Sequence, residues 1–254
     1  MLVVISPSKT LDFESKPQTK KFTVPVLLGE SSALIEKLRE LSINDITKLM
    51  NISYGLAEIN LERYFKWQPP FTLDNAKQAA LAFAGDVYIG LNAKEFTEKQ
   101  LEMMQSKVRI LSGLYGILKP LDLMQPYRLE MTIKLKNHKG KNLYEFWNGI
   151  ITDEINNTLS EHSEKVLINL ASNEYFSVIN PDNINGTVIT PIFKEYKSGT
   201  YRVISFFAKQ ARGIMTRKIV ENDIKIAEDI KSLNIEGYTF NPKLSNANQW
   251  LFTK

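Results

Sequence analysis

The chain contains no cysteine and only two histidines in 254 residues. The first absence excludes disulfides, thiolate metal sites, CxxC redox chemistry and a cysteine nucleophile. The second leaves His138 and His162 as the only imidazoles. Both stand in polar, exposed-looking sequence without the frame a Ser-His-Asp triad needs. There is no GxxxxGK[ST], strand-linked GxGxxG, GxSxG or HExxH, and no Glu-x-x-His pair of the ferritin kind. Neither a metal site nor a cofactor is therefore expected. No stretch approaches the ~20 apolar residues of a membrane span. The apolar opening Met1-Leu2-Val3-Val4-Ile5 is too short for a signal sequence and has no basic residues before it. The expectation is a cytoplasmic protein that does not engage a membrane.

What is present is ordinary globular material, 43% hydrophobic and 24% charged. A chain of this length buries enough surface to hold a core without covalent staples. The net charge of +4 is unevenly spread. Lys107 to Lys141 carries eight basic residues against Asp122 and Glu130, and Lys194 to Lys218 carries seven against Glu195. Each segment thus stands at +6, leaving the remainder at −8. If the two segments share one face they suit a phosphate-bearing partner; otherwise they solvate separate surfaces.

Periodicity predicts buried strands at Leu2–Ile5, Val108–Leu111 and Val166–Leu170, and a strand around Asp86–Ile89. Helices are predicted over Ser32–Leu41, from Ser42 to about Met50, through Leu56, Ile59 and Phe65, over Thr97–Gln105 and over Leu143–Leu159. Ser42 with Asp45, and Thr97 with Gln100, have capping-box spacing. A hairpin of Val188–Tyr196 and Tyr201–Phe207 is followed by helices at about Lys209–Glu221 and Asp223–Ser232. Gly237–Phe240 and Trp250–Phe252 read as edge strands. The mixture lacks regular βαβ alternation, so the expected class is a mixed, irregular, α+β-like α/β fold in one domain over residues 1–254.

Three regions concentrate chemistry. Ser6, Ser8 and Lys9 follow the first strand, and Asn173 and Glu174 follow the strand ending at Leu170. Ligands gather outside strand carboxyl ends, so these residues share a pocket if the strands are neighbours; otherwise they cap helices and close turns. The Gly-rich run Ser112-Gly113-Leu114-Tyr115-Gly116 leads to Lys119, Tyr127, Arg128 and Glu130. Its glycines admit a ligand or merely a tight turn, and Arg128 can pair with Glu130 or Asp122. The third region is the helix containing Lys209, Arg212 and Arg217. Ala208, Ala211, Met215 and Ile219 form its core stripe, and Gly213 on the other side would let a phosphate approach.

The segments Ile5–Leu11 (ISPSKTL), Gly85–Leu91 (GDVYIGL), Leu111–Met131 (LSGLYGILKPLDLMQPYRLEM), Asn169–Phe176 (NLASNEYF) and Ser205–Arg217 resemble, in order and spacing, the bacterial YaaA peroxide-stress family. The resemblance implies a compact α/β body with a topology of its own. It also implies a role in surviving hydrogen peroxide with less unincorporated iron and less oxidative damage, and DNA binding through a positively charged cleft and a helix-hairpin-helix element. The best match to that element is Ser42–Trp67 around Asn51-Ile52-Ser53-Tyr54-Gly55, which has one glycine where such hairpins present two.

Two functions follow. One is a DNA binder without sequence preference that limits iron-dependent damage, with Lys9, Lys119, Arg128, Lys209, Arg212 and Arg217 as contacts. The other is an enzyme acting on a nucleotide, nucleobase or damaged nucleic acid, with Lys9, Glu130 and Glu174 as catalytic candidates and Ser6, Ser8, Ser112, Tyr115 and Asn173 around the ligand. A monomer with double-stranded or structured DNA as partner is the expected assembly.

Overall fold

A computed structural model describes residues 1–254. In chain order the strands are β1 (Leu2–Ile5), β2 (Lys77–Gln78), β3 (Val108–Ser112), β4 (Gly116–Leu118), β5 (Leu123–Met124), β6 (Val166–Leu170), β7 (Thr187–Lys197), β8 (Thr200–Arg202), β9 (Thr239–Phe240) and β10 (Gln249–Thr253). The first five helices are α1 (Leu28–Arg39), α2 (Ile43–Met50), α3 (Tyr54–Lys66), α4 (Ala79–Ala82) and α5 (Asp86–Leu91). They are followed by α6 (Glu98–Lys107), α7 (Leu143–Trp147), α8 (Ile150–Ser160), α9 (Asn173–Phe176) and α10 (Ser205–Glu221).

The class is mixed α/β. An eight-stranded sheet runs β4-β3-β1-β6-β7-β10-β9, with β8 paired to β7. The pairs β3–β1, β1–β6, β6–β7 and β7–β10 are parallel, while β4, β8 and β9 pair antiparallel. Every residue of β1 and β3 is buried, as expected of parallel strands covered on both faces. Each large apolar side chain so buried contributes about 1.5–3 kcal/mol. One apolar cluster of 70 buried residues runs from Met1 to Phe252. From β1 the chain goes next to β3 on one side, and from β6 to β7 on the other. The carboxyl ends of β1 and β6 therefore flank a topological switch point, where such sheets open a crevice.

Both expected capping boxes form, Ser42 with Asp45 and Thr97 with Gln100. Six expectations are corrected. Asp86–Leu91 is a helix, not a strand: Val87, Tyr88 and Leu91 are buried at helical spacing and Ile89 points outward. The segment Leu143–Leu159 is two helices, α7 and α8, because Gly149 takes a left-handed φ of 79° between them. On α3 the buried face is Ala57, Asn60 and Tyr64, while Ile59 and Phe65 are exposed. The second hairpin strand ends at Arg202, and Ser205–Phe207 already belong to α10; the helix expected after it is a 3₁₀ segment, Ala227–Ser232. Finally, β10 lies inside the sheet between β7 and β9, so of these two segments only β9 is an edge.

Candidate functional site

The loops after β1 and β6 meet because their strands are hydrogen-bonded neighbours, with Ile5 opposite Leu170. Ser6 ties them: its Oγ accepts the Ser172 amide at 2.8 Å and lies 3.3 Å from the Ser172 hydroxyl. The Tyr88 hydroxyl donates to the Ser6 carbonyl at 3.0 Å, fixing the same loop from α5. Above these contacts opens a pocket of about 320 Å³ lined by Ser6, Ser8, Lys9, Thr10, Asp86, Tyr88, Ser172, Glu174, Tyr175, Lys209 and Arg212. Burial raises the phenol pKa values of Tyr88 and Tyr175 well above the ordinary value, so both remain neutral donors.

The cations of the site differ in how they are held. Lys9 Nζ lies 3.0 Å from Glu130 Oε1, and the same oxygen accepts Arg128 Nη2 at 2.7 Å. Glu130 is buried, so its charge is matched by two cations, as a desolvated carboxylate requires. Its Oε2 and the Arg128 Nε are buried without partners. Lys209 is half exposed, with Asp86 no nearer than 3.8 Å. The guanidinium of Arg212 has no carboxylate beside it, and burial alone lowers its pKa. Arginine stays charged under such a shift, which leaves a partly desolvated cation facing the pocket without a counter-ion. Glu174 is the one acid of the pocket with no basic neighbour; its nearest partner is the Thr132 hydroxyl at 3.5 Å.

Of the residues singled out in the sequence, Ser6, Ser8, Lys9, Glu174, Lys209 and Arg212 line this pocket, and Glu130 and Arg128 stand behind Lys9. Asn173 is exposed at the start of α9, outside the lining. Ser112 and Tyr115 are fully buried. The Ser112 hydroxyl shares a hydrogen bond with Tyr127, and Tyr115 accepts from Trp67 Nε1 at 2.9 Å. Gly113 serves the same internal packing, since a β-carbon there would stand 2.1 Å from the Leu129 carbonyl oxygen. Lys119 follows β4, which runs back against β3, and so sits at the opposite end of the sheet. Arg217 is held by Glu95 and Glu221 and lies over the Phe96 ring. Gly213 faces α5 rather than solvent, so it admits another helix and not a phosphate.

Sequence reasoning missed Asp86, Tyr88, Ser172 and Tyr175 as lining residues. The strand assigned to Asp86–Ile89 hid two of them. It also missed Lys134 and Lys136. Along Met131–Lys136 the odd positions are buried and the even ones exposed, so Thr132, Lys134 and Lys136 share one side, and Thr132 touches Glu174. That strict alternation was the available signal. The hairpin-like element at Ser42–Trp67 exists as α2 and α3 joined through Asn51 in the left-handed region, with Gly55 exposed in the first turn of α3. The exposed surface of α3 carries Glu58 and Glu62, which disfavours phosphate along its length.

No helix is long and apolar enough to cross a membrane. A family model described as peroxide stress protein YaaA matches residues 1–244. A UPF0246 protein of Colwellia psychrerythraea is 53% identical over 254 residues, covering 100% of this chain and 99% of that one. A UPF0246 protein of Cellvibrio japonicus is 50% identical over 254 residues (100% of this chain, 98% of the relative), and one of Shewanella oneidensis is 48% identical over 254 residues (100% and 99%). With a family model matched over residues 1–244 and a relative 53% identical over the whole chain, the chain belongs to the peroxide stress protein YaaA family.

Proposed function

We propose that this peroxide stress protein binds DNA without sequence preference across the cationic mouth of the β1/β6 pocket, and thereby limits iron-dependent damage to it. The observation that carries this reading is the convergence of Lys9, Lys209 and Arg212, remote in sequence, on one opening; exposed Lys134 and Lys136 follow Thr132, whose hydroxyl meets Glu174 of the pocket. Lysine and arginine on a concave surface neutralise successive phosphates and release counterions, which needs no base contact.

Fluorescence anisotropy on labelled duplex DNA over a salt series tests it. About five phosphate contacts give a log–log slope of about −4 to −5, and Lys209→Glu/Arg212→Glu reduces its size by about 2. Binding that is absent at low salt, or indifferent to this charge reversal in a protein that still melts normally, would sink the proposal.

A second reading, catalysis on a nucleotide or nucleobase, is supported by the concave pocket of about 320 Å³ and by Glu174, an acid there without a cation. Within it Lys9 is a poor nucleophile, because the ammonium held by Glu130 has no free lone pair. Glu174 is the better acid/base candidate, since nothing but a long hydroxyl contact occupies it.

A further inference from the structure

We propose that the β1/β6 pocket receives a terminal phosphate monoester, supplied by a nucleoside 5′-monophosphate or by the phosphorylated 5′ end of a DNA strand. The proposal rests on the same cationic site as the DNA reading, but it concerns the inside of the pocket rather than its mouth. The pocket's volume of about 320 Å³ lies at the small end of ligand sites, which run from about 300 to 1,000 Å³. An internal phosphodiester carries one charge and a sugar on each side, which suits it to the rim. A monoester has one free end and a charge of about −1.5 to −2 at neutral pH.

The pocket's lining holds both kinds of polar group that such a two-ended ligand needs. Lys9, Lys209 and Arg212 all line it. Arg212 is the decisive one: a half-buried guanidinium that lines the pocket with no carboxylate beside it is matched by an oxyanion that accepts two of its parallel N–H groups. Lys209 is free to join it, since Asp86 holds it only at 3.8 Å. The hydroxyls of Thr10 and Ser172 supply further donors, those of Ser6 and Ser8 being donated to Ser172 and the Ala84 carbonyl. Glu174 also lines the pocket and has no cation of its own, so it accepts from a donor such as a sugar hydroxyl or an exocyclic amine. A bare inorganic anion satisfies the first set and not the second. A nucleotide satisfies both.

Isothermal titration calorimetry on the full chain compares deoxyadenosine 5′-monophosphate with deoxyadenosine and inorganic phosphate. The nucleotide is expected to bind at least tenfold tighter than either, and Arg212→Met to lose at least tenfold of that affinity. Lys209→Met, at a half-exposed position, gives the same loss in a smaller measure and serves if the Arg212 variant fails to fold. Equal binding of nucleotide and nucleoside, no binding of the nucleotide, or full affinity in both variants overturns the proposal. A covalently closed DNA circle has no ends and reports the rim alone. If the circle binds and the nucleotide does not, the pocket proposal falls while the DNA reading stands. If the nucleotide binds and the circle does not, the DNA reading falls and the pocket is a site for free nucleotides. Linear duplexes with 5′-phosphate or 5′-hydroxyl ends then identify the source: tighter binding of the phosphorylated end supports the strand terminus, and equal binding supports the free nucleotide.

Discussion

Gly213 on α10 lies against the carbonyl of Val87 on α5, so close that a β-carbon added there would stand 1.9 Å from the oxygen. Gly90 makes the reciprocal approach, 2.3 Å from the Gln210 carbonyl oxygen by the same measure. The two glycines set the distance between α5 and α10, and those helices carry Asp86, Tyr88, Lys209 and Arg212 into the pocket. Gly213→Ala gains about 1 kcal/mol of helix propensity, yet it drives a methyl group into backbone that can yield only by moving a helix. The net expectation is a loss of about 1 to 3 kcal/mol, which in a chain of this size lowers Tm by roughly 3 to 10 °C. Thermal unfolding decides it; an alanine variant as stable as the parent would mean that the helices do not meet here.

The Tyr115 hydroxyl accepts from Trp67 Nε1 at 2.9 Å and from the Gln125 amide at 3.0 Å, and lies 3.3 Å from the Gln125 carbonyl. Tyr115→Phe strands these groups in the core. Its expected cost is about 2 to 3 kcal/mol, since buried donors left unpaired forfeit their full desolvation. DNA affinity measured well below the melting point stays unchanged, because the ring does not face the pocket. Weakened binding with unchanged stability would instead return Tyr115 to the ligand site, where its glycine-rich surroundings in the sequence had placed it.

The sequence was most informative where burial was uniform. Leu2–Ile5 and Val166–Leu170 were legible as strands because every position is apolar or packed, and their adjacency then brought Ser6, Lys9 and Glu174 together. It was least informative where a short segment fits two periods. Six residues from Asp86 to Leu91 match alternation and helical spacing nearly equally, and packing on α10 decides for the helix. Charge was legible as composition but not as availability. Lys107 is spent on Asp223 and the Ile224 carbonyl, Lys139 on Glu30 and Arg217 on Glu95, all long-range partners that no local pattern announces. Gly213 shows the same limit: a glycine among cations reads as a phosphate approach until its neighbour across the fold is known.

The loop after Thr10 carries a titratable clamp. Asp12 accepts from Lys94 at 2.6 Å and from the Ser15 hydroxyl and amide, and these bonds hold its carboxyl well below the usual carboxylate range. Buried Lys77 closes the clamp through the Asp12 and Ser15 carbonyls, at 2.8 and 2.6 Å. With the folded pKa below the unfolded value of about 3.9, the contribution is fully present above that value and is lost as pH falls through the folded pKa. Asp12→Asn should therefore be less stable than the parent at neutral pH, with the gap closing steadily as the solution is made more acid than about pH 4. Urea unfolding at pH 7, 5, 4 and 3 checks this; a gap that does not change with pH would show that the loss is one of packing rather than of the charge.

Lys119 and the pair Lys134/Lys136 separate surface charge in general from charge at the mouth. All three belong to the same +6 segment, Lys107 to Lys141. Lys119 stands at the amino end of the sheet, where Leu118 pairs with Ile110 and the Lys119 amide donates to Asp122. Lys134 and Lys136 are exposed on the side of Thr132 that reaches Glu174. If binding follows net charge alone, reversing any of them weakens it alike. If it follows the mouth, Lys134→Glu/Lys136→Glu lowers the size of the salt slope by about 2 and the affinity at moderate salt by about tenfold or more, while Lys119→Glu changes the slope by well under 1. Lys134 and Lys136 are exposed, so their variant should melt with the parent; Lys119 is half-buried near the Asp122 carboxylate, so its variant is compared well below its own melting point, and anisotropy titrations at several salt concentrations report the interface. A Lys119 variant as impaired as the double variant would move the DNA to the far end of the sheet and empty the mouth of its proposed role.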